Sequence, residues 1–266
     1  MGMALELTTG FATAPGATPI AATIAAGNSL QVKNATPESR ILLLNFWSDH
    51  QVAGIVQLRS PKLHDNVRGI RYRSNISEVQ PYMPRLSKQP LYAQDVLVLE
   101  IAGSAVGGDI ETACYLSWYE NLPGVEGRFL SPEEVARRGV NTVTVETTHA
   151  AGAAGGYSGQ VALNSGSDLL IANVDYALLG YVVNAECAAV RLLGPDTGNT
   201  GVGGPGSETD KHMTRHWFGD ISQAYGLPLC PVINAANKAA TLCDVATDEN
   251  AGTFIVSWTF VQLAPR

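Results

Sequence analysis

The sequence predicts an all-β chain made of two tandem β-sandwich units. Three observations predict it: short apolar runs of strand character throughout, an internal repeat, and little helical patterning. At 266 residues there is room for two domains of ordinary size. Its 45% hydrophobic and 15% charged residues belong to a chain that buries a substantial core. So low a charge fraction suits a subunit partly covered by its neighbours.

The repeat sets the layout. ILLLNF at 41–46 is answered by LLIANV at 169–174, and QV at 31–32 by QV at 160–161. PL at 90–91 is answered by PL at 228–229, and CYLSW at 114–118 by FIVSW at 254–258, all in the same order. In the last pair Cys114, Leu116 and Trp118 alternate with Tyr115, Ser117 and Tyr119, as Phe254, Val256, Trp258 and Phe260 do with Ile255, Ser257 and Thr259. Period-two alternation makes these strands and puts both tryptophans on the core face. The run at 41–46 is apolar apart from Asn45, as in a strand covered on both sides. Further strands are expected over 52–58, 96–101, 140–147, 181–184 and 188–193, separated by Gly, Pro, Asn and Asp.

Two segments carry helix signals. Ser131 as cap, Pro132 in the first turn, Glu133 and Glu134 behind it and Gly139 as stop predict a short helix joining the two copies. A second helix is expected over 207–225, where Met213, Trp217, Ile221 and Tyr225 form a core-facing stripe and Gly219 interrupts the pattern. The expected units are an N-terminal arm at 1–27, a first sandwich at 28–127, a linker with the helix at 128–142 and a second sandwich at 143–266. Long irregular middles at 61–89 and 194–227 favour the jelly roll among sandwiches, since its end loops tolerate such excursions.

No constellation for catalysis emerges. Gly201, Gly203 and Gly206 match GxGxxG as a string, but Pro205 and the surrounding glycines read as a loop and not as a strand–helix turn. His212 and His216 have helical ligand spacing without a Glu between them or a third ligand, and no His-x-His exists for a metal-binding cupin. The other histidines are His50, His64 and His149. Asp109, Glu111, Asp244, Asp248 and Glu249 lack EF-hand spacing and read as turn acids. Catalytic, cofactor-binding and metal residues are therefore all expected to be absent, and the chain is not expected to be an enzyme. Cys114, Cys187, Cys230 and Cys243 form no CxxC pair and are expected as free buried thiols. The N-terminus has no positive n-region, and Glu6 replaces the Ser or Thr of a myristoylation signal. With no apolar run of membrane-spanning length, a protein made and assembled in a cytoplasm is expected, with no use for the sequons at Asn34 and Asn75.

The net charge of −7 argues against nucleic-acid binding over the whole surface. Between positions 59 and 88 the balance reverses: Arg59, Lys62, Arg68, Arg71, Arg73, Arg85 and Lys88 face only Asp65 and Glu78. The segment reads either as a solvated loop face or as a patch for acidic neighbours, anionic lipid or packaged genome.

Tandem jelly rolls nearly free of catalytic groups resemble the double jelly-roll major capsid proteins of tectiviruses, corticoviruses and adenovirus-like viruses. The length is nearest to the corticovirus coat protein. The opening Ile24-Ala25-Ala26-Gly27-Asn28-Ser29, leading to Leu30-Gln31-Val32, is similar to a corticovirus-type start. The resemblance implies a virion protein whose homotrimers form pseudo-hexagonal tiles in an icosahedral shell and meet neighbouring capsomers and penton or minor capsid proteins. It further implies a flexible N-terminal arm, and contact with an internal membrane or the genome through Arg59 to Lys88. The alternative is a receptor- or carbohydrate-binding sandwich of the phage spike or decoration kind, using Trp47, Tyr72, Tyr82, Tyr92 and Trp217 as loop aromatics.

Overall fold

Apolar runs pair antiparallel with one another to form four sheets in the computed structural model, which describes residues 2–63, 66–74, 89–166, 169–206, 214–247 and 252–265. Sheet I has the order β2 (Ile20–Ala21), β8 (Val98–Ala102), β5 (Ile55–Arg59), β6 (Ile70–Arg73). Sheet II has the order β3 (Thr23–Ile24), β1 (Gly2–Thr13), β9 (Ile110–Leu122), β4 (Arg40–Asp49), β7 (Gln89–Pro90). Sheet III has the order β12 (Gly156–Tyr157), β18 (Leu242–Thr247), β15 (Cys187–Leu193), β16 (Val202–Gly206), with β13 (Val161–Ala162) also on β18. Sheet IV has the order β10 (Phe129–Leu130), β17 (Cys230–Asn234), β14 (Asp175–Val183), β19 (Thr253–Leu263), β11 (Gly139–Ala150). Sheets I and II make the first sandwich, and sheets III and IV the second. The chain visits both in the same strand order, which is that of a jelly roll.

The sheets stack in the order I, II, III, IV. Val56, Leu58, Leu99 and Ile101 of sheet I meet Ile41, Leu43, Phe46, Tyr115 and Tyr119 of sheet II in one core. The opposite face of sheet II, carrying Leu5, Leu7, Leu42, Leu44, Trp47, Cys114, Leu116 and Trp118, joins a second core that runs through sheet III to Val256, Trp258 and Phe260 of sheet IV. Sheet II is thus apolar on both faces, as in a fully covered sheet. Among the described residues, two short α-helices flank the stack. Helix α1 (Pro132–Arg138) starts at the expected cap, with Ser131 Oγ accepting from the Glu134 N–H at 3.3 Å. Helix α2 (Trp217–Tyr225) buries Trp217, Phe218, Ile221 and Tyr225 and ends at Gly226, whose positive φ of 60° suits a left-handed stop.

Several expectations are corrected. Residues 1–27 are not a free arm, because Gly2–Thr13 is β1, paired along its length with β9 inside sheet II. LLIANV at 169–174 is a turn with Leu169 and Ile171 exposed, so β14 and not this run holds the place of β4. The CYLSW and FIVSW strands do hold equivalent places, β9 and β19, but their registers differ. Both β4 and β14 bulge opposite them, at Leu44 and Leu179. When the bulges are superposed, Trp258 falls opposite Tyr115 and not opposite Trp118. The tryptophans accordingly face different ways. Trp258 lies in its own sandwich against Tyr181, at 5.5 Å between ring centroids, whereas Trp118 turns from its sandwich toward the second half and meets Phe129 edge-on at 5.2 Å. The GxGxxG stretch is also no loop: Val202–Gly206 is the edge strand β16, where Pro205 can sit because the outer side needs no ladder donor. The second helix is shorter than expected, and its Met213 lies outside the described residues.

One core serving three sheets makes the halves unfold together. Trp47→Ala, which opens that core beneath β15, is expected to cost about 3–5 kcal/mol and to lower the guanidinium midpoint in a single transition followed by fluorescence and circular dichroism.

Candidate functional site: the covered and uncovered sheet faces

The outward faces of sheets III and I each carry an arginine bound to a carboxylate. On sheet III the row Gly203, Arg191, Asp244 runs across β16, β15 and β18 in direct register. Arg191 donates from Nε to Asp244 Oδ1 at 2.8 Å and from Nη2 to Oδ2 at 2.6 Å. The pair is buried, with side-chain exposures of 7% and 1%. Burial opposes the guanidinium charge, but the Asp244 hydrogen bonds together with the charge interactions of Tyr157 and Asp244 outweigh it and hold Arg191 above its ordinary pKa. The guanidinium carbon lies 3.7 Å from the centre of the Tyr157 ring. The Tyr157 hydroxyl pairs with Thr9 Oγ1 of sheet II at 2.7 Å, which ties the network to the first half.

Sheet II covers this face closely. Trp47 Nε1 donates to the Ala188 carbonyl at 2.9 Å, and the Leu7 N–H to the Gly201 carbonyl at 2.8 Å. A Cβ on Gly203 would stand 2.8 Å from Leu7 Cδ2 and 2.2 Å from the Val190 carbonyl oxygen, so only glycine permits the approach. The Tyr225 hydroxyl of α2 donates to the Leu44 carbonyl. Arg128, between the halves, binds Asp175 at 3.0 Å and Asp196 at 3.3 Å, and Asp196 also accepts from the Asn234 N–H and Asn237 Nδ2 at 2.9 Å each.

Sheet I repeats the arrangement without a cover from another sheet. Its row Arg71, Gln57, Glu100 crosses β6, β5 and β8 in direct register. Arg59, further along β5, donates from Nε to Glu100 Oε2 at 3.0 Å and from Nη2 to Oε1 at 2.7 Å, and Gln57 also donates to Glu100. This pair is more open, at 27% and 13% exposure. The Arg59 hydrogen bond holds Glu100 below the usual carboxylate range and Arg59 above its own. Arg68, Arg71 and Arg73 are exposed and have no ion pair among the described residues. Arg85 and Lys88 lie outside the described residues. At the far end of the stack, sheet IV exposes Thr142, Thr144, Glu146 and Thr148 of β11 beside Ile255, Ser257, Thr259 and Val261 of β19.

The remaining candidates are dispersed. Among the described residues no three His, Cys, Asp or Glu come together as metal ligands. His64, His212, Asp248 and Glu249 lie outside the described residues, and His216 is exposed at the start of α2. Glu111 accepts from the Gln51 and Ser104 backbone, Asp109 from the Ser104 hydroxyl, and Asp244 from Arg191. Trp47 and Trp217 pack edge-on at 6.0 Å inside the core, Tyr72 is half-buried, Tyr92 is exposed, and Tyr82 lies outside the described residues. Trp47 and Trp217 are therefore core residues and not loop aromatics of a glycan site. Among the described residues no helix is long and apolar enough to cross a membrane. The two Arg–carboxylate pairs were missed from sequence, because only strand pairing places Arg191 opposite Asp244 and Arg59 diagonally from Glu100.

Comparisons with known proteins add no relative by sequence: no family model and no curated protein matches. Among solved structures, the PBSX exported protein XepA matches with 10% identity and a TM-score of 0.22, over 88% of this chain and 84% of that one. The major capsid protein P2 from bacteriophage PM2 matches with 12% identity and a TM-score of 0.24, over 97% of this chain and 98% of that one. Likeness at these scores carries no argument, and the fold rests on the strand order above.

Two chemical expectations follow. Burial lowers the His50 pKa to about 4, and neither ring nitrogen has a hydrogen-bond partner among the described residues. A base whose folded pKa lies below its unfolded value of about 6.5 stabilises the fold fully above pH 6.5 and loses that contribution as pH falls toward 4. Urea midpoints are expected to drop over that window in wild type, and less steeply in His50→Gln. The four cysteines are free and buried, with the Cys114 and Cys230 thiols pushed up to about 12 by burial. A colorimetric thiol reagent is expected to count none in the native protein and all four in guanidinium.

Proposed function

We propose that this chain is a structural shell-building protein: a viral capsid subunit whose homotrimers form pseudo-hexagonal tiles of an icosahedral virion. The observation that carries this reading is the stacking of two jelly rolls through whole sheet faces. A chain that pairs its halves in this manner has sheets I and IV at the two ends of its stack, and the exposed parts of those ends can pair with copies of itself. Three copies would bring six sandwiches of similar outline into one ring. Such a subunit works by shape and surface, with no need of reacting groups. Assembly in a host cytoplasm, contacts with penton or minor capsid proteins, and contact of the basic segment with an internal membrane or the genome belong to the same proposal.

The test is native mass by light scattering over a range of concentrations, with electron microscopy of the larger species. A stable species of about three times the 28.1 kDa chain mass, growing into sheets or shells, is the expected result. A monomer at every concentration would sink the reading.

A further inference from the structure

We propose that a cleft between the two sandwiches is a binding site for a small uncharged molecule carrying an amide group, which Arg191 holds at the floor. The proposal goes beyond the shell-subunit reading and does not depend on it. Beside the Thr9–Tyr157 bond that ties the halves lies a cleft of about 450 Å³. Phe11 of the first sandwich lines it on one side, and Ala154, Tyr157, Arg191 and Asp244 of the second sandwich on the other. Its size is that of ordinary small-molecule sites.

The floor offers a donor and an acceptor side by side. A guanidinium has five N–H groups, and Asp244 takes one from Nε and one from Nη2 of Arg191. Arg191 Nη1 donates to no group among the described residues, yet it is not one of the buried atoms left without a partner, so it opens into the cleft that Arg191 lines. The Tyr157 ring covers one guanidinium face at 3.7 Å, which leaves the guanidinium plane as the direction of approach. Each Asp244 oxygen holds one Arg191 bond and keeps a lone pair beside it. An amide matches this pair, with its carbonyl toward Nη1 and its N–H toward Asp244. The ligand must be uncharged. Arg191 and Asp244 already cancel, and their side-chain exposures are 7% and 1%. A carboxylate would set a second anion against Asp244, and an ammonium a second cation against Arg191, in a place where water screens neither.

The walls suit a small apolar body. Phe11 is half-buried and belongs to neither hydrophobic core. Its ring lies against the backbone at Gly155, where a Cβ would stand 2.4 Å from Phe11 Cδ2. Ala25, Ala26 and Ala154 add short walls that leave room for an acyl methyl group. At the mouth, the Thr23 hydroxyl and the Gln160 amide are exposed and make no hydrogen bond among the described residues, so they are available to a ligand's outer polar groups.

Two sources supply such an amide, an N-acetylated sugar and a peptide, and the probes separate them. Saturation-transfer NMR on the full chain uses N-acetylglucosamine and N-acetylalanine methylamide, with glucose, acetate and glucosamine as controls. Transfer to at least one N-acetyl probe, strongest at its acetyl methyl, and none to the controls is expected, and the tighter probe names the source. Transfer to glucose or acetate as strong as to the amides, or none to either amide, would overturn the proposal. Ala154→Trp fills the cleft from an exposed position and is expected to weaken the bound probe about tenfold or more with an unchanged thermal midpoint. Arg191→Lys keeps a cation beside Asp244 but loses Nη1, and is expected to weaken amide binding by a similar factor. Wild-type affinity in folded Ala154→Trp would also overturn the proposal, whatever the stability of the Arg191 variant.

Discussion

Sheet II is buried on both faces, and the other three layers are arranged around that constraint. A strand in such a sheet cannot alternate apolar with polar residues, so β4 runs Ile41, Leu42, Leu43, Leu44 and β9 packs tyrosines one way and Leu116 and Trp118 the other. Apolar area removed from water on the second face holds the two halves together. Close packing then dictates small detail, as at Gly203, where a single methyl group would strike both Leu7 and the backbone of β15.

Burial of this extent makes any charge inside it expensive. Arg191 and Asp244 are tolerated because both guanidinium–carboxylate bonds are made and Tyr157 closes over the arginine. Such a pair adds little net stability over apolar residues of the same size, and serves to fix how the sheets register on each other. The Arg128 clamp does similar service at the rim, where one arginine gathers two acids of the second half. The Arg59–Glu100 pair on sheet I is more exposed and is desolvated less.

The class of fold was legible because strands announce themselves locally. Alternation in CYLSW and FIVSW, the apolar run at 41–46 and the Ser131 cap all report on nearest neighbours along the chain, and the corresponding elements formed where expected. The repeat was legible only in part. Its last motif fell on equivalent strands in a shifted register, while LLIANV, although similar in composition to ILLLNF, became the turn before β14. Composition cannot tell a buried apolar run from an exposed one when pairing partners decide the outcome.

By itself the sequence determined that the chain is all-β, divided into two sandwich units with a capped helix between them, because those features follow from periodicity and local hydrogen bonding. Only the tertiary structure decided that residues 2–13 are a strand within sheet II and no arm, that Trp118 faces away from its own sandwich, and that Gly203 lies on a packed strand. It also decided which arginines meet which carboxylates. The physical reason is common to all of these: each depends on strands far apart in the chain being set in register, and on which face a neighbouring sheet covers.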